Sequence, residues 1–555
     1  MTDSFNLLDE PWIRIARLDG SPVQLSLLGI FREAHAISGI HGEIASQDIA
    51  ILRLLLAICH RTMNGPDNEE TWLDYWDNPE LLADDAIAYL EGHRPRFDLR
   101  DSTAPFFQVA GIHSASDKVS GLESLIIDVP NGEPFFTTRG GEGLERISWA
   151  EAARWLIHAH AFDPSGIHTG AVGDPSVKGG KGYPIGPGWT GQIGVIAVEG
   201  ETLLRTLLLN TVVPGENSGL RRVEEDLPPW ERELDGPAGS LDLQPTGPVS
   251  CFTWQTRRIL LHGDDDGVTG VFLGNGDKAT PQDRFHYEPM SAWRYSDPQS
   301  KKLKRTVYMP RKLPTDRALW RGLPSLVSQL SPSITVKGAG EVQRFINPGV
   351  LRFHRWLMAE EYVLNRGLIS VHAVGMQYGS QEAVVEELVD DTLAIPAALL
   401  APGNERLVDV VHDAMEEAEQ VAAAVRNLGG NLARAQGAEP DRVNVAAKQA
   451  GIAFYLVLDQ QFPRWLAALD GADPDAARDE WRGVLRKEAR TQADALAAAA
   501  PATAVTGHGE GSSRVDLGKA LAWFYAALNK TLPRPETSSR SEVDTKPNDK
   551  RKEGE

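Results

Sequence analysis

Cysteine is almost absent. The 555 residues hold two, Cys59 and Cys251, too few for a disulfide framework or a cysteine-built zinc site. Cys59 sits in an apolar run, and both are expected in the core. No apolar stretch approaches the roughly 18 residues of a membrane span. The N-terminus is polar, without a basic segment leading into an apolar one, so a soluble, cytoplasmic chain with no membrane contact is expected. Positive charge is short too: Lys+Arg 56 against Asp+Glu 77 gives a net charge of −21. That balance argues against a free-standing nucleic-acid binder, because neutralising phosphates takes clustered cations. It leaves room for local patches. The sharpest is Lys301, Lys302, Lys304 and Arg305, continuing to Arg311 and Lys312.

Catalytic signatures are also missing. The 14 histidines make chance pairs inevitable. His158 and His160 are two apart, and on a helix such residues do not face each other. His412-Asp413 is the dipeptide of metal phosphohydrolases, but no further His/Asp set is spaced to complete it. The glycine-rich stretch 170–194 contains Lys178-Gly-Gly-Lys181-Gly, which lacks the leading glycine and the following Ser/Thr of a phosphate-binding loop. No Gly-x-Ser-x-Gly elbow links a strand to a helix. No enzyme activity, cofactor or metal is expected.

What is present is an ordinary globular composition, 42% hydrophobic and 24% charged, on a length that predicts about two to four domains. Up to Asp391 short mixed segments alternate with Gly/Pro-rich loops. Residues 191–200 and 367–375 read as strands, β-branched and bounded by glycine. Residues 46–61 read as a helix with Ser46 as N-cap, and residues 148–160 as another, with Ser148 as N-cap and Glu151 three residues on. Beyond Asp391 the chain turns alanine-rich with helical periodicity. Helices are predicted over residues 404–428, stopped at Gly429-Gly430, and over 440–469, 473–500 and 516–532. The expected fold class is α+β: a large mixed α/β domain over 1–391, a four-helix bundle over 392–534 and a disordered tail over 535–555. Glycine-rich loops without a catalytic set read either as plain surface loops or as places where backbone approaches a ligand closely. A DNA minor groove is such a ligand.

Residues 5–13 (FNLLDEPWI) resemble the start of the large subunit, CasA, of the type I-E CRISPR surveillance complex Cascade. Further segments follow in order: IAILRLLLAI at 49–58, FFTTRGGEGL at 135–144, WAEAA at 149–153, AFDPSG at 161–166, FTWQ at 252–255, DPQS at 297–300, and YGSQEA at 378–383, closing at Asp391. The ordered set runs over nearly the whole chain. The resemblance implies a non-catalytic subunit that recognises the protospacer-adjacent motif (PAM) in double-stranded target DNA. It also implies that the subunit starts duplex opening and helps recruit the CRISPR helicase-nuclease. Other Cascade subunits hold the guide RNA, and base pairing reads the long sequence. The charge deficit then has a reason: cations for the long heteroduplex belong to partner subunits.

Site residues follow from the resemblance. Ser165, Gly166 and His168 stand near positions of the glycine loop that meet the minor groove, with Ser165 where the family has glycine. Arg284 stands where a lysine finger enters the groove, and either cation suits its negative potential. Gly379 and Ser380 lie at the tip of a wedge hairpin. Glu382 aligns with the family's wedge glutamine; a carboxylate is repelled by phosphates, so Gln381 is the preferred wedge. Phe136, Thr137 and Thr138 align with a loop that docks on the subunit holding the guide's 5′ handle. Lys301, Lys302, Lys304 and Arg305 are phosphate-contact candidates read from the sequence itself. Some relatives carry a cysteine cluster near residues 262–280; this chain has none, so no zinc is expected there. Two other readings remain open at this level: an interaction scaffold whose loops never touch DNA, and a metal phosphohydrolase built on His412 and Asp413.

Overall fold

The computed structural model describes residues 4–66, 68–128, 145–336, 340–360, 362 and 367–533. Phe136, Thr137, Thr138 and the tail 535–555 lie outside the described residues. The chain forms two compact units, Met1–Val410 with Phe462–Pro474, and Val411–Gln461 with Asp475–Glu555. Asp391 lies within the strand Val385–Pro396.

The first unit is mixed α/β. Its 52 glycines and 35 prolines are counted over the whole chain, but most punctuate this part and keep its strands short. Among the described residues they form sheets of two or three strands. At the centre lies the helix Ala45–Thr62, buried on all sides from Ile49 to Cys59, as its unbroken apolar run requires. Arg53 is the one cation in that run. Its guanidinium grips Glu288 at 3.0 and 2.7 Å and the Cys251 carbonyl at 3.1 Å. Trp189 Nε1 donates to the same carboxylate at 2.8 Å, so the buried charges satisfy each other. Ser46 does not cap this helix. The helix starts one residue earlier, at Ala45, and Ser46 Oγ turns inward to His158 Nε2 at 3.0 Å. Gln47 and Asp48 instead reach back to the amides of Glu43 and Gly42 at 3.1 and 2.5 Å. Ser148 does cap Trp149–Phe162, accepting from the Glu151 amide at 3.1 Å. Cys59 and Cys251 are free and buried, as expected.

The second unit is helical. Its long helices belong to Glu405–Ala435, Pro440–Ala467, Pro474–Ala498 and Leu517–Thr531. The last three begin and end within two residues of their predicted bounds. The first does not stop at Gly429-Gly430; it continues to Ala435. The glycines serve helix packing instead. A Cβ on Gly429 would lie 2.6 Å from the Ala450 Cβ and 2.9 Å from the Ala446 carbonyl oxygen, so two helix backbones meet here closer than any side chain allows. Trp481, fully buried, donates to the Ala414 carbonyl at 3.0 Å. Glu417 receives Arg478 and Arg482 at 3.0 and 2.5 Å.

Candidate nucleic-acid interface

The site is built on a β-hairpin. Leu368–Tyr378 and Val385–Pro396 pair antiparallel from Leu368↔Pro396 to Tyr378↔Val385. The first strand also pairs with Gly194–Glu199, ending at Gly375↔Gly194. Beyond Gly375 the hairpin therefore runs on as a two-stranded ribbon. Its foot is buried through Val371, Ala373 and Val374, while Gly379–Val385 carry half-buried and exposed residues. The tip is strained. Gln381 and Glu382 both sit in left-handed backbone, φ +56° and +57°, which costs side-chain-bearing residues roughly 1–3 kcal/mol each. Such geometry persists only where the surroundings impose it, and three sets of contacts do so here.

The first is Tyr378, whose buried hydroxyl donates to the Phe162 carbonyl at 2.6 Å. Burial raises the pKa of this phenol, so it remains a donor. Gly191 makes room for it: a Cβ there would lie 2.1 Å from the Tyr378 oxygen. The second is Lys312, whose Nζ pairs with Glu382 Oε1 at 2.8 Å. The expected conflict between a carboxylate at the wedge position and DNA phosphates thus meets a local answer, because Glu382 is neutralised within the fold. The third is the Ser165 amide, which donates to the Glu382 carbonyl at 2.8 Å.

That last bond joins the hairpin tip to the glycine loop. The loop leaves the helix Trp149–Phe162 and is held by Arg257, whose side chain is fully buried. Its Nε meets Asp163 Oδ2 at 2.5 Å, and its Nη2 reaches the carbonyls of Pro164 and Gly186 at 2.8 and 3.0 Å. Gly188 packs under the loop, where a Cβ would lie 2.2 Å from the Ala161 carbonyl oxygen. His168 Nε2 approaches Asp163 Oδ2 at 3.3 Å. Burial first, then the neighbouring Arg257 charge, push its pKa down to about 4 against the pull of Asp163. His168 is therefore neutral near pH 7 and brings no cation to a groove. Ser165 is 5% exposed with its amide already used. Its position in this structure is a brace for the hairpin. Gly166 and the exposed Ile167 form the accessible part of the loop.

The remaining candidates stand apart: neither Arg284 nor the 301–305 run lines the clefts beside the hairpin tip. Arg284 is half-buried and donates to the Thr280 carbonyl at 3.1 Å and to Gln244 Oε1 at 2.9 Å, so it is not a free finger here. The basic run is the end of the helix Asp297–Leu303, with Lys304 in left-handed backbone as its C-cap. Lys301 pairs with Asp297 at 2.6 Å, and Arg305 pairs with Asp283. Lys302 and Lys304 are exposed and have no ion pair among the described residues. His158 and His160 are buried and held neutral, their pKa values pushed by burial to about 3. His160 Nε2 contacts the Phe107 carbonyl at 2.9 Å. Asp413 is committed to Arg478 at 2.7 Å. Among the described residues no three His, Cys, Asp or Glu side chains are grouped to hold a metal, and no helix is long and apolar enough to cross a membrane. Sequence reasoning missed Arg257, Gly188 and Gly191 as supports, and the pairing of Lys312 with Glu382.

Comparison with known proteins matches residues 6–492 to the family model described as CRISPR-associated protein Cse1. The chain belongs to the Cse1 (CasA) family. A curated CasA/Cse1 protein of Thermus thermophilus is 27% identical over 506 residues, covering 87% of this chain and 90% of its own. The crystal structure of Thermobifida fusca Cse1 superposes with a TM-score of 0.86 at 39% identity, covering 96% of this chain and 98% of that one. Cse1 from Acidimicrobium ferrooxidans gives 0.79 at 30%, covering 96% and 100%. This Cse1-family chain is thereby a large subunit of Cascade, with the mixed α/β and C-terminal helical architecture that the sequence pattern predicted.

Proposed function

We propose that this chain is the non-catalytic subunit through which a cytoplasmic Cascade recognises a protospacer-adjacent motif and begins to open the duplex. The observation that carries this reading is the bond from the Ser165 amide to the Glu382 carbonyl. It couples an accessible glycine loop to a projecting hairpin tip whose two left-handed residues hold Gln381 exposed. Gly166 then lies against the minor groove while Gln381 enters the base stack, at a cost of a few kcal/mol per unstacked step that backbone contacts offset. With Glu382 paired to Lys312, the tip presents an uncharged amide to the bases. Minor-groove reading tolerates related motifs, because A·T and T·A look alike there. Lys302 and Lys304 contact phosphates of the flanking duplex. Arg284 joins the minor-groove contacts only after releasing Gln244 and Thr280. Phe136, Thr137 and Thr138 dock on the subunits that hold the guide RNA, and the chain helps recruit the helicase-nuclease.

The test is target-duplex binding by the reconstituted complex, with and without this subunit, on duplexes differing only in the flanking motif. Motif-dependent binding that needs the subunit, and that G166V and Q381A each weaken at least tenfold, is expected. Binding indifferent to the motif or to the subunit refutes the reading in favour of a scaffold.

A further inference from the structure

The clefts on either side of the hairpin tip belong to the site already described. One, about 330 Å³, is shared with the glycine loop. The other, about 750 Å³, lies on the Glu382 side beside Arg294 and Arg311. A third concavity, about 640 Å³, shares no lining residue with either. Its volume falls in the range of small-molecule pockets, roughly 300–1,000 Å³. It lies within the first unit, lined from the helix Gly349–Ala359, the turn Arg284–His286 and the strand Phe345–Ile346.

Three kinds of group meet there. The first is aromatic: Phe285, Phe345 and Trp356, all half-buried. The second is cationic. Arg352 and Arg355 stand three apart on one helix and so share a side of it. Neither has an ion pair among the described residues. Their hydrogen bonds go to neutral groups, Arg352 Nη2 to the Glu216 carbonyl and Arg355 Nη1 to Ser328 Oγ, both at 3.2 Å. Gly219, in left-handed backbone at φ +71°, makes room for Arg352, since a Cβ there would lie 2.1 Å from its Nη1. Backbone, not a carboxylate, therefore positions this guanidinium. Among the described residues of the lining the one acid is Glu216, which is exposed. The third kind is carboxamide. Asn347 is 7% exposed and its Nδ2 has no hydrogen-bond partner, a costly state for a buried donor. Gln343 gives its Nε2 to Ser333 Oγ at 3.2 Å, which leaves its carbonyl oxygen as an acceptor at the exposed edge of the pocket.

We propose that this pocket binds a free nucleoside monophosphate, its phosphate on Arg352 and Arg355, its base against the aromatic rings and a base-edge acceptor on Asn347 Nδ2. Each part of the lining then has a use. Planar guanidiniums match phosphate oxygens with paired hydrogen bonds, and a phosphate monoester carries close to two negative charges at pH 7, which suits two cations without carboxylate partners. Aromatic side chains take base faces without regard to which base is offered. The carboxamides decide against a simpler aromatic acid. Such a ligand would satisfy the rings and the arginines, but its ring edge carries no acceptor and would leave Asn347 Nδ2 unmade. A base edge carries ring nitrogens and carbonyl oxygens that accept. The proposal stands apart from motif recognition and uses none of its residues.

The test is equilibrium dialysis of the full chain against radiolabelled AMP, GMP, CMP and UMP. At least one is expected to bind one-to-one with a Kd below about 100 µM, within reach of a ligand of that size. The double variant R352Q/R355Q should weaken all four at least tenfold, and R355Q alone at least threefold. N347A should instead change the order of preference among the bases. The control K448Q/K530Q, on exposed residues of the second unit, should change affinity less than twofold, and melting temperature reports whether each variant folds. Four results overturn the proposal. No monophosphate binds the wild-type chain; the control loses as much as R352Q/R355Q; phenylpyruvate binds as tightly as the best nucleotide and N347A leaves the base preference unchanged; or a 5′-phosphorylated oligothymidylate binds through the two arginines where free nucleotides do not, which would make the pocket a seat for a nucleic-acid end.

Discussion

The two clefts beside the hairpin tip share a wall and differ in nearly everything else. The glycine-loop cleft is lined by apolar residues such as Leu125, Ile126 and Leu273, by serines, by two acids and by the histidines His158 and His168, both held neutral by burial. The larger cleft is lined by five cations and three acids. One hairpin tip, four residues from Gln381 to Val384, thus divides a cleft of few charges from a cleft rich in them. What differs physically is where the charges are spent. Arg257 is consumed inside the fold by Asp163 and by loop carbonyls, whereas Arg294 and Arg311 have no ion pair among the described residues.

The largest test of this contrast is R257M. It leaves Asp163 and the loop carbonyls without their buried partner, and breaking such a pair costs about 3–5 kcal/mol. Urea unfolding should show that loss, and motif-dependent binding by the complex should vanish with it. A variant that unfolds like the wild type would mean the brace is not what holds the loop.

Acidification comes next, and it acts through the buried His168 of the glycine-loop cleft. His168 has its pKa near 4 in the fold against about 6.5 when free. Below pH 6.5 the unfolded chain takes up a proton that the folded chain refuses. Stability therefore falls as the pH drops from about 6.5 towards 4, by roughly 2 kcal/mol at pH 5 for this residue. Urea midpoints at pH 7 and pH 5 should diverge less in H168Q than in the wild type. Equal divergence would show that His168 is not shielded.

Y378F should be milder. It deletes the bond to the Phe162 carbonyl and leaves that acceptor buried, at about 1–2 kcal/mol. Target binding should fall with little change in the salt slope, because no cation is lost. The smallest stability effect is expected from K312M. Its pair with Glu382 is half exposed, and such pairs contribute under about 1 kcal/mol. Its functional effect should be larger than its stability effect, since it leaves Glu382 unpaired at the tip proposed to meet DNA. Target binding should drop several-fold and return in K312M/E382Q; failure of that rescue would remove Glu382 neutralisation from the account.

Local signals were readable in advance. Ser148 with Glu151 marked a helix start, β-branched runs between glycines marked the strands of the central sheet, and alanine-rich periodicity marked the C-terminal helices. Each of these depends on residues within one or two turns of each other. Ser46 and Gly429-Gly430 failed as signals because a partner from elsewhere claimed them: His158 for the serine, the facing helix for the glycines. The family resemblance located the hairpin tip and the glycine loop. It could not show that Ser165 and Glu382 bond to each other, nor that Arg284 is occupied by Gln244.

By itself the sequence determined the fold class, the helical C-terminal region, the poverty of cysteine and the overall acidity, since these follow from composition and short-range periodicity. Only the tertiary structure decided which charges are free. Arg257 meets Asp163 across 94 residues, and Lys312 meets Glu382 across 70. A charge counts towards binding only if the fold leaves it unpaired, and pairing at that separation is settled by packing, which no local pattern encodes.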